Sequence, residues 1–161
     1  MGPFAEARGR VSVELSLDGD LWASTERGLF HFLQEEWKLS HKFDRPMPVF
    51  DLASGHDGSM WALTPRSILQ LADGDWRSVD ILRPTLDPRG GFRAIASRKA
   101  GGCWLGGGTG VYSFDRQTLK RLDVDIDGPA RILFEQSDGT LWIGGFSELY
   151  RYRDGDLRHV D

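Results

Sequence analysis

An all-β fold follows from three features of the sequence. Twenty glycines fall at turn-like intervals between short apolar runs, the pattern of many short strands. No stretch sustains an apolar period of 3.6 residues, so a helical framework is excluded. The third feature is internal repetition. The phrase Asp138-Gly139-Thr140-Leu141-Trp142 has earlier counterparts in Asp18-Gly19-Asp20-Leu21-Trp22, Asp57-Gly58-Ser59-Met60-Trp61 and the degraded Ala100-Gly101-Gly102-Cys103-Trp104. Aligned on the tryptophan, the copies run without a gap from twelve residues before it to nineteen after.

The units span 10–41, 49–80, 92–123 and 130–161, and a tail of residues 1–9 precedes them. The joining segments 42–48, 81–91 and 124–129 absorb all the length variation. Each unit reads as four short strands. The first carries an aliphatic residue nine before the tryptophan, Val13, Leu52, Ile95 or Leu133, which predicts a core column. Asp-Gly then predicts a two-residue type I′ hairpin turn, since both residues tolerate positive φ. The second strand holds the tryptophan between Leu21, Met60, Cys103 or Leu141 and Ala23, Ala62, Leu105 or Ile143. Apolar residues on both faces of a strand require cover on both sides. The third strand opens with Leu29, Ile68, Val111 or Leu149, after a polar turn. The fourth opens with Trp37, Trp76, Leu119 or Leu157, each followed by a basic residue, Lys38, Arg77, Lys120 or Arg158. A basic column suits the solvated edge of an outermost strand.

A sheet of four short strands with two apolar faces cannot hide them alone, but sheets packed face to face can. A period of about 40 residues is that of propeller blades. The predicted architecture is therefore a β-propeller built from four-stranded antiparallel blades, four blades per chain, over residues 10–161. The tryptophans Trp22, Trp61, Trp104 and Trp142 are then expected to be packing between blades.

Composition narrows the function classes. Hydrophobic residues make up 40% and charged residues 27%, as in a soluble globular protein. A net charge of −4 gives no reason to expect nucleic acid or an acidic membrane as partner. No apolar run approaches the roughly 18 residues of a membrane span. The single cysteine, Cys103, forbids an intrachain disulfide and leaves the compartment open: periplasmic for a domain whose leader is absent, cytoplasmic for a complete chain.

With these residues in hand, the repeats resemble the two-component regulator propeller repeat, whose core reads roughly Asp-Gly-x-Leu-Trp-Ile-Gly-Thr-x-x-Gly-Leu-x-Arg-Tyr. The fourth copy matches closely, from Asp138 to Gly144, with Gly145 in place of the threonine, and again at Leu149-Tyr150-Arg151-Tyr152. The first keeps Trp22, Thr25, Gly28 and Leu29; the second is the most eroded, with Ala62-Leu63-Thr64-Pro65. The resemblance implies a bacterial sensor propeller that binds a ligand, with oligosaccharides recognised by many members. Propeller ligands usually sit on the face made by the loops from fourth to first strand and from second to third. Arginines gather at those positions. Arg93 and Arg131 stand eleven before the tryptophan, where the first two units have Val11 and Phe50. Arg27 and Arg66 share a column of the second-to-third turn, and Arg45 and Arg89 lie in joining segments. The guanidinium fork suits carboxylate, sulfate or sugar hydroxyls. The competing reading is a set of scattered surface arginines balanced by Glu26, Asp44, Asp80 and Asp87.

Other motifs carry less. Asp123-Val124-Asp125-Ile126-Asp127-Gly128 opens like a calcium loop but has Phe134 at its twelfth position and Pro129 where the loop would continue. Gly106-Gly107-Gly108-Thr109-Gly110 lacks the Lys-Ser/Thr ending of a phosphate cradle. The histidines His31, His41, His56 and His159 occupy four different columns, without ligand spacing. No cofactor, metal site or catalytic residue is expected. The first reading is a ligand-binding sensor-type module for polar or anionic carbohydrate. A protein-interaction scaffold is the alternative, and a propeller lyase or hydrolase comes third. Whole four-stranded units leave the terminal blades with apolar faces, so self-association is expected, as a head-to-tail homodimer of eight blades.

Overall fold

The structure, a computed structural model, describes residue 4 and residues 9–79, 91–115 and 117–160. Arg89, Asp80, Asp87 and most of the joining segment 81–91 lie outside the described residues, as does most of the tail. The described residues form sixteen strands and no helix, in four antiparallel sheets of four. These are the β-propeller blades expected from the repeats. The chain divides into two compact units, Met1–Val79 and Asp80–Asp161, each holding two blades.

In the N-terminal unit, the first blade comprises β1 (Ser12–Leu15), β2 (Leu21–Thr25), β3 (Gly28–Leu33) and β4 (Glu36–Lys42), and the second β5 (Asp51–Ser54), β6 (Met60–Leu63), β7 (Ile68–Ala72) and β8 (Asp75–Val79). In the C-terminal unit, the third blade comprises β9 (Phe92–Ser97), β10 (Cys103–Gly107), β11 (Gly110–Phe114) and β12 (Leu119–Arg121), and the fourth β13 (Ile132–Glu135), β14 (Leu141–Gly144), β15 (Leu149–Arg153) and β16 (Asp156–His159). Within every blade each strand pairs only with its sequence neighbours, in simple meander order.

Blades stack face to face within each unit. Leu29 of the first blade joins Leu52, Ala62 and Leu69 of the second in one buried cluster, with Phe43 and Val49 between β4 and β5. Ala94, Ala96, Trp104 and Val111 of the third blade join Leu133, Leu141, Ile143 and Tyr150 of the fourth in another. Gly106 is required there. A Cβ on it would lie 3.0 Å from Ala130 Cβ and 3.2 Å from Leu133 Cδ1, so the glycine lets β13 approach β10.

The hairpins differ from the expected type. In all four copies the residue six before the tryptophan closes the loop: Ser16, Gly55, Arg98 and Gln136 donate their amides to Asp20, Ser59, Gly102 and Thr140 carbonyls. Gly19, Gly58, Gly101 and Gly139 donate back to the carbonyls of those same closing residues. The glycines have φ between 76° and 91°, while Asp18, Asp57 and Asp138 are not left-handed. This is a type I turn with a glycine bulge, not type I′. The aspartate serves through its side chain instead: Asp138 Oδ1 accepts from the Thr140 amide at 3.0 Å, and Asp57 Oδ1 from Ser59 at 3.2 Å. Two-residue turns with both residues left-handed join the third and fourth strands, at Gln34-Glu35, Asp73-Gly74 and Asp154-Gly155.

The core column also needs correction at one end. Leu52, Ile95 and Leu133 are buried, but Val13 is exposed. Among the repeat tryptophans, Trp22, Trp61 and Trp104 are buried while Trp142 is only half-buried. Both exceptions lie on the terminal blades, on the face turned away from the blade stacked beside them: Glu14 on the other face of β1 bonds the second blade, and Leu133 on the other face of β13 packs on the third. The tail is not without structure. Phe4 packs against Phe30 and Trp37, at ring separations of 5.9 and 5.1 Å.

Trp61→Ala is expected to destabilise by about 3–5 kcal/mol, as for a fully buried tryptophan, and Trp142→Ala by clearly less. Denaturant titration of both variants measures this, and equal losses would contradict the difference in burial.

Candidate ligand-binding rim

At the rim where second strands turn into third strands, the N-terminal unit presents Arg27 and Arg66 in the same position of adjacent blades. A buried threonine holds each turn. Thr25 Oγ1 accepts from the Arg27 amide at 3.1 Å. Thr64 Oγ1 accepts from the Arg66 and Ser67 amides at 3.3 and 3.0 Å, and donates to the Ser67 carbonyl at 2.8 Å. The joining segment secures the first of these turns: Phe43 and Met47 donate to the carbonyls of Arg27 and Glu26 at 3.0 and 2.7 Å. The backbone is thus fixed, and both arginine side chains are exposed. Arg45 is exposed in the same joining segment.

In the C-terminal unit, Arg93 and Arg131 occupy the equivalent starts of the innermost strands, which pack side by side. Gly106 pairs with Ala94 and Gly107 with Phe92, so Arg93 is the extra residue of a β-bulge. Bulges re-aim a side chain, and Arg93 is exposed. Arg131 precedes β13 and donates its amide to the Gly144 carbonyl at 2.8 Å. Its guanidinium carbon lies 3.7 Å from the ring centre of Phe146, a cation–π pair in the β14–β15 turn. Phe146 is 73% exposed. Sequence reasoning missed Phe146, although its column holds Glu26, Pro65 and Gly108 in the other copies and an aromatic there stands out.

The other motifs resolve locally. The acidic segment 123–128 is tied down by Asp127, whose amide donates to Tyr150 Oη at 3.0 Å, and by Ile126, which packs on the core cluster. Among the described residues no three His, Cys, Asp or Glu side chains converge as metal ligands. The glycine run is the β10–β11 turn, with the Gly107 carbonyl accepting from the Ala130 amide at 3.1 Å. The histidines lie in β3, β4, β16 and a hairpin turn, and none is on an innermost strand. His31 stacks on Trp22 at 4.1 Å and 5°, with Asp20 Oδ2 3.0 Å from its Nε2 but not aligned for a hydrogen bond. His159 pairs with Glu148. A small open cleft in the N-terminal unit lies at the opposite rim, between the β1–β2 and β5–β6 hairpins, lined by Asp18, Asp20, Trp22, Ser54, His56 and Ser59 among others.

The geometry defines a propeller-type scaffold with an arginine-bearing rim in each unit. In sequence, no protein-family model and no curated protein matches the chain. Solved structures do resemble it. The extracellular domain of the hybrid two-component system BT4673 from B. thetaiotaomicron superposes with a TM-score of 0.74 at 18% identity, covering 100% of this chain and 22% of that one. The corresponding domain of BT3049 from the same organism gives 0.72 at 17%, covering 93% and 23%. Virginiamycin B lyase from Staphylococcus aureus gives 0.68 at 11%, covering 92% and 54%. The chain therefore spans about half the length of the lyase and under a quarter of the sensor domains. At these identities the likeness is one of fold.

Cys103 sits in the core of β10, and burial pushes its thiol up to about 12 from 9.0, against a smaller opposing pull from Arg98. The neutral thiol is the form the fold favours, so this contribution is complete below pH 9 and is lost as pH rises toward 12. Thiol reagents at neutral pH should leave the native protein unlabelled and modify it only on unfolding. Rapid labelling of the native chain would show Cys103 to be accessible.

Proposed function

We propose that the chain is a ligand-binding module of the sensor-propeller type, taking a polar or anionic carbohydrate at the rim that bears Arg93 and Arg131. The observation that carries this reading is the Arg131–Phe146 pair. An exposed ring offers an apolar face to the C–H groups of a sugar, and the guanidinium above it offers donors to a carboxylate, sulfate or hydroxyl. Arg93, carried on its bulge at the start of the neighbouring inner strand, extends the donor set. Arg27 and Arg66 do the same for the N-terminal unit. The fold likeness to extracellular domains of two-component systems supports the sensor class.

A protein-interaction scaffold is the second reading, favoured by the exposed apolar side chains Ile132, Phe134 and Phe146 on the fourth blade. The likeness to a lyase supports an enzyme less well, since no histidine lies on an innermost strand.

A glycan array including sulfated and uronic acid sugars, followed by calorimetry, tests the first reading. Arg93→Ala with Arg131→Ala should abolish binding of the best ligand while leaving thermal stability intact. Unchanged affinity in that double variant would remove the arginines from the site. Phe146→Ala should weaken binding by about 1–3 kcal/mol if the ring stacks on the ligand.

A further inference from the structure

The blades within each unit meet by one rule, and the rule identifies a partner for the exposed terminal faces. Counting from the repeat tryptophan, the residue at minus eight on one blade faces the residue at minus seven on the next: Glu14 Oε1 accepts from the amide and hydroxyl of Ser54, both at 3.0 Å. The residue at minus ten lies with that at minus nine, as Ala94 does with Leu133 in one cluster. The tryptophan itself meets the residue fifteen after the next tryptophan. Trp22 packs edge to face on Trp76 at 5.9 Å and 76°, and Leu157 borders the cluster that holds Trp104.

On the terminal faces the same columns are filled by apolar residues. Phe134 replaces Glu14 and is 60% exposed; Leu15 replaces Ser54 and is 63% exposed. Ile132 and Val13, at minus ten and minus nine, are 67% and 58% exposed. A terminal repeat that faces water ordinarily carries a polar outer surface. Here the columns of the polar Glu14–Ser54 pair hold an aromatic residue on one end and an aliphatic residue on the other. Trp37 stands in the column of Trp76, and its ring is met edge to face by Phe4 at 5.1 Å and 87°. Phe4 thus occupies the place that the preceding blade's tryptophan takes at the Trp22–Trp76 junction.

We propose that the fourth-blade face of one copy docks on the first-blade face of a second copy, repeating the internal junction, and that Phe4 is the intramolecular competitor for that site. Phe134 packs on Leu15, Ile132 on Val13, and Trp142 takes the ring of Trp37 from Phe4. The surface is built for another blade of this repeat, and a second chain supplies one with the right columns. The inference is independent of the carbohydrate reading, because it uses none of the rim arginines.

Sedimentation velocity on the purified chain across a wide concentration range tests it. The parent should associate reversibly. Phe134→Lys and Leu15→Glu should each weaken association at least about tenfold, the cost of burying an unpaired charge. An equimolar mixture of the two variants should recover it, because the new charges meet across one junction while the other stays as in the parent. Phe4→Ala should tighten association by vacating Trp37. Near-ultraviolet circular dichroism checks that each variant is folded, which is expected because Phe134 and Leu15 are exposed and Phe4 lies in the tail before the blades. A parent that stays monomeric throughout, association insensitive to Leu15→Glu, or no recovery in the mixture would each overturn the proposal. Recovery without tightening by Phe4→Ala would overturn the competitor role of Phe4.

Discussion

A four-stranded blade has two large faces, and the structure depends on covering both. Hydrophobic burial is roughly proportional to apolar area removed from water. A lone blade would leave both faces wet, and a blade with one neighbour would still leave one. In the second and third blades every residue of β6 and of β10 is buried, so alternation disappears along those strands. In the fourth blade β14 alternates between buried and half-buried, because one of its faces carries the exposed Ile132 and Phe134.

Close stacking places demands on the connections. The glycine of the Asp-Gly phrase supplies the single left-handed residue of a bulged hairpin, and the aspartate caps the turn through its carboxylate. For Asp138 the hydrogen bonds from Thr140 hold the carboxyl below the ordinary carboxylate range, with Arg153 adding to the effect. Gly106 gives up its side chain so that a neighbouring inner strand can lie against it. Buried Thr25 and Thr64 anchor the opposite turns from inside, which leaves the outward residues of those turns free to vary. The column after each threonine accordingly differs, with Glu26 in the first blade and Pro65 in the second.

The rim arginines and the outer faces of the first and fourth blades differ in chemistry, the one charged and the other apolar. Arg27 and Arg66 stand on turns whose backbone is held by the hydroxyls of Thr25 and Thr64. Val13 and Leu15 are exposed on the first blade, and Ile132 and Phe134 on the fourth. Phe4 links the tail to this second surface, by filling the aromatic position at Trp37.

The number of blades, the strand boundaries and the burial of most repeat columns were legible in the sequence, because period, glycine spacing and double-sided apolarity are local properties of the chain. The arginine columns were legible too, since they stand where the copies disagree. The sequence could not say that Val13 and Trp142 are exceptions to their columns, because a column averages over blades and burial depends on which blade has a neighbour. It could not distinguish a type I′ turn from a bulged type I turn, since Asp-Gly suits both and the choice is made by strand register. Nor could it bring Phe146 under Arg131 or Phe4 onto Trp37, contacts between residues far apart in their roles in the repeat. Those were decided by tertiary packing, which alone determines which faces are covered and by what.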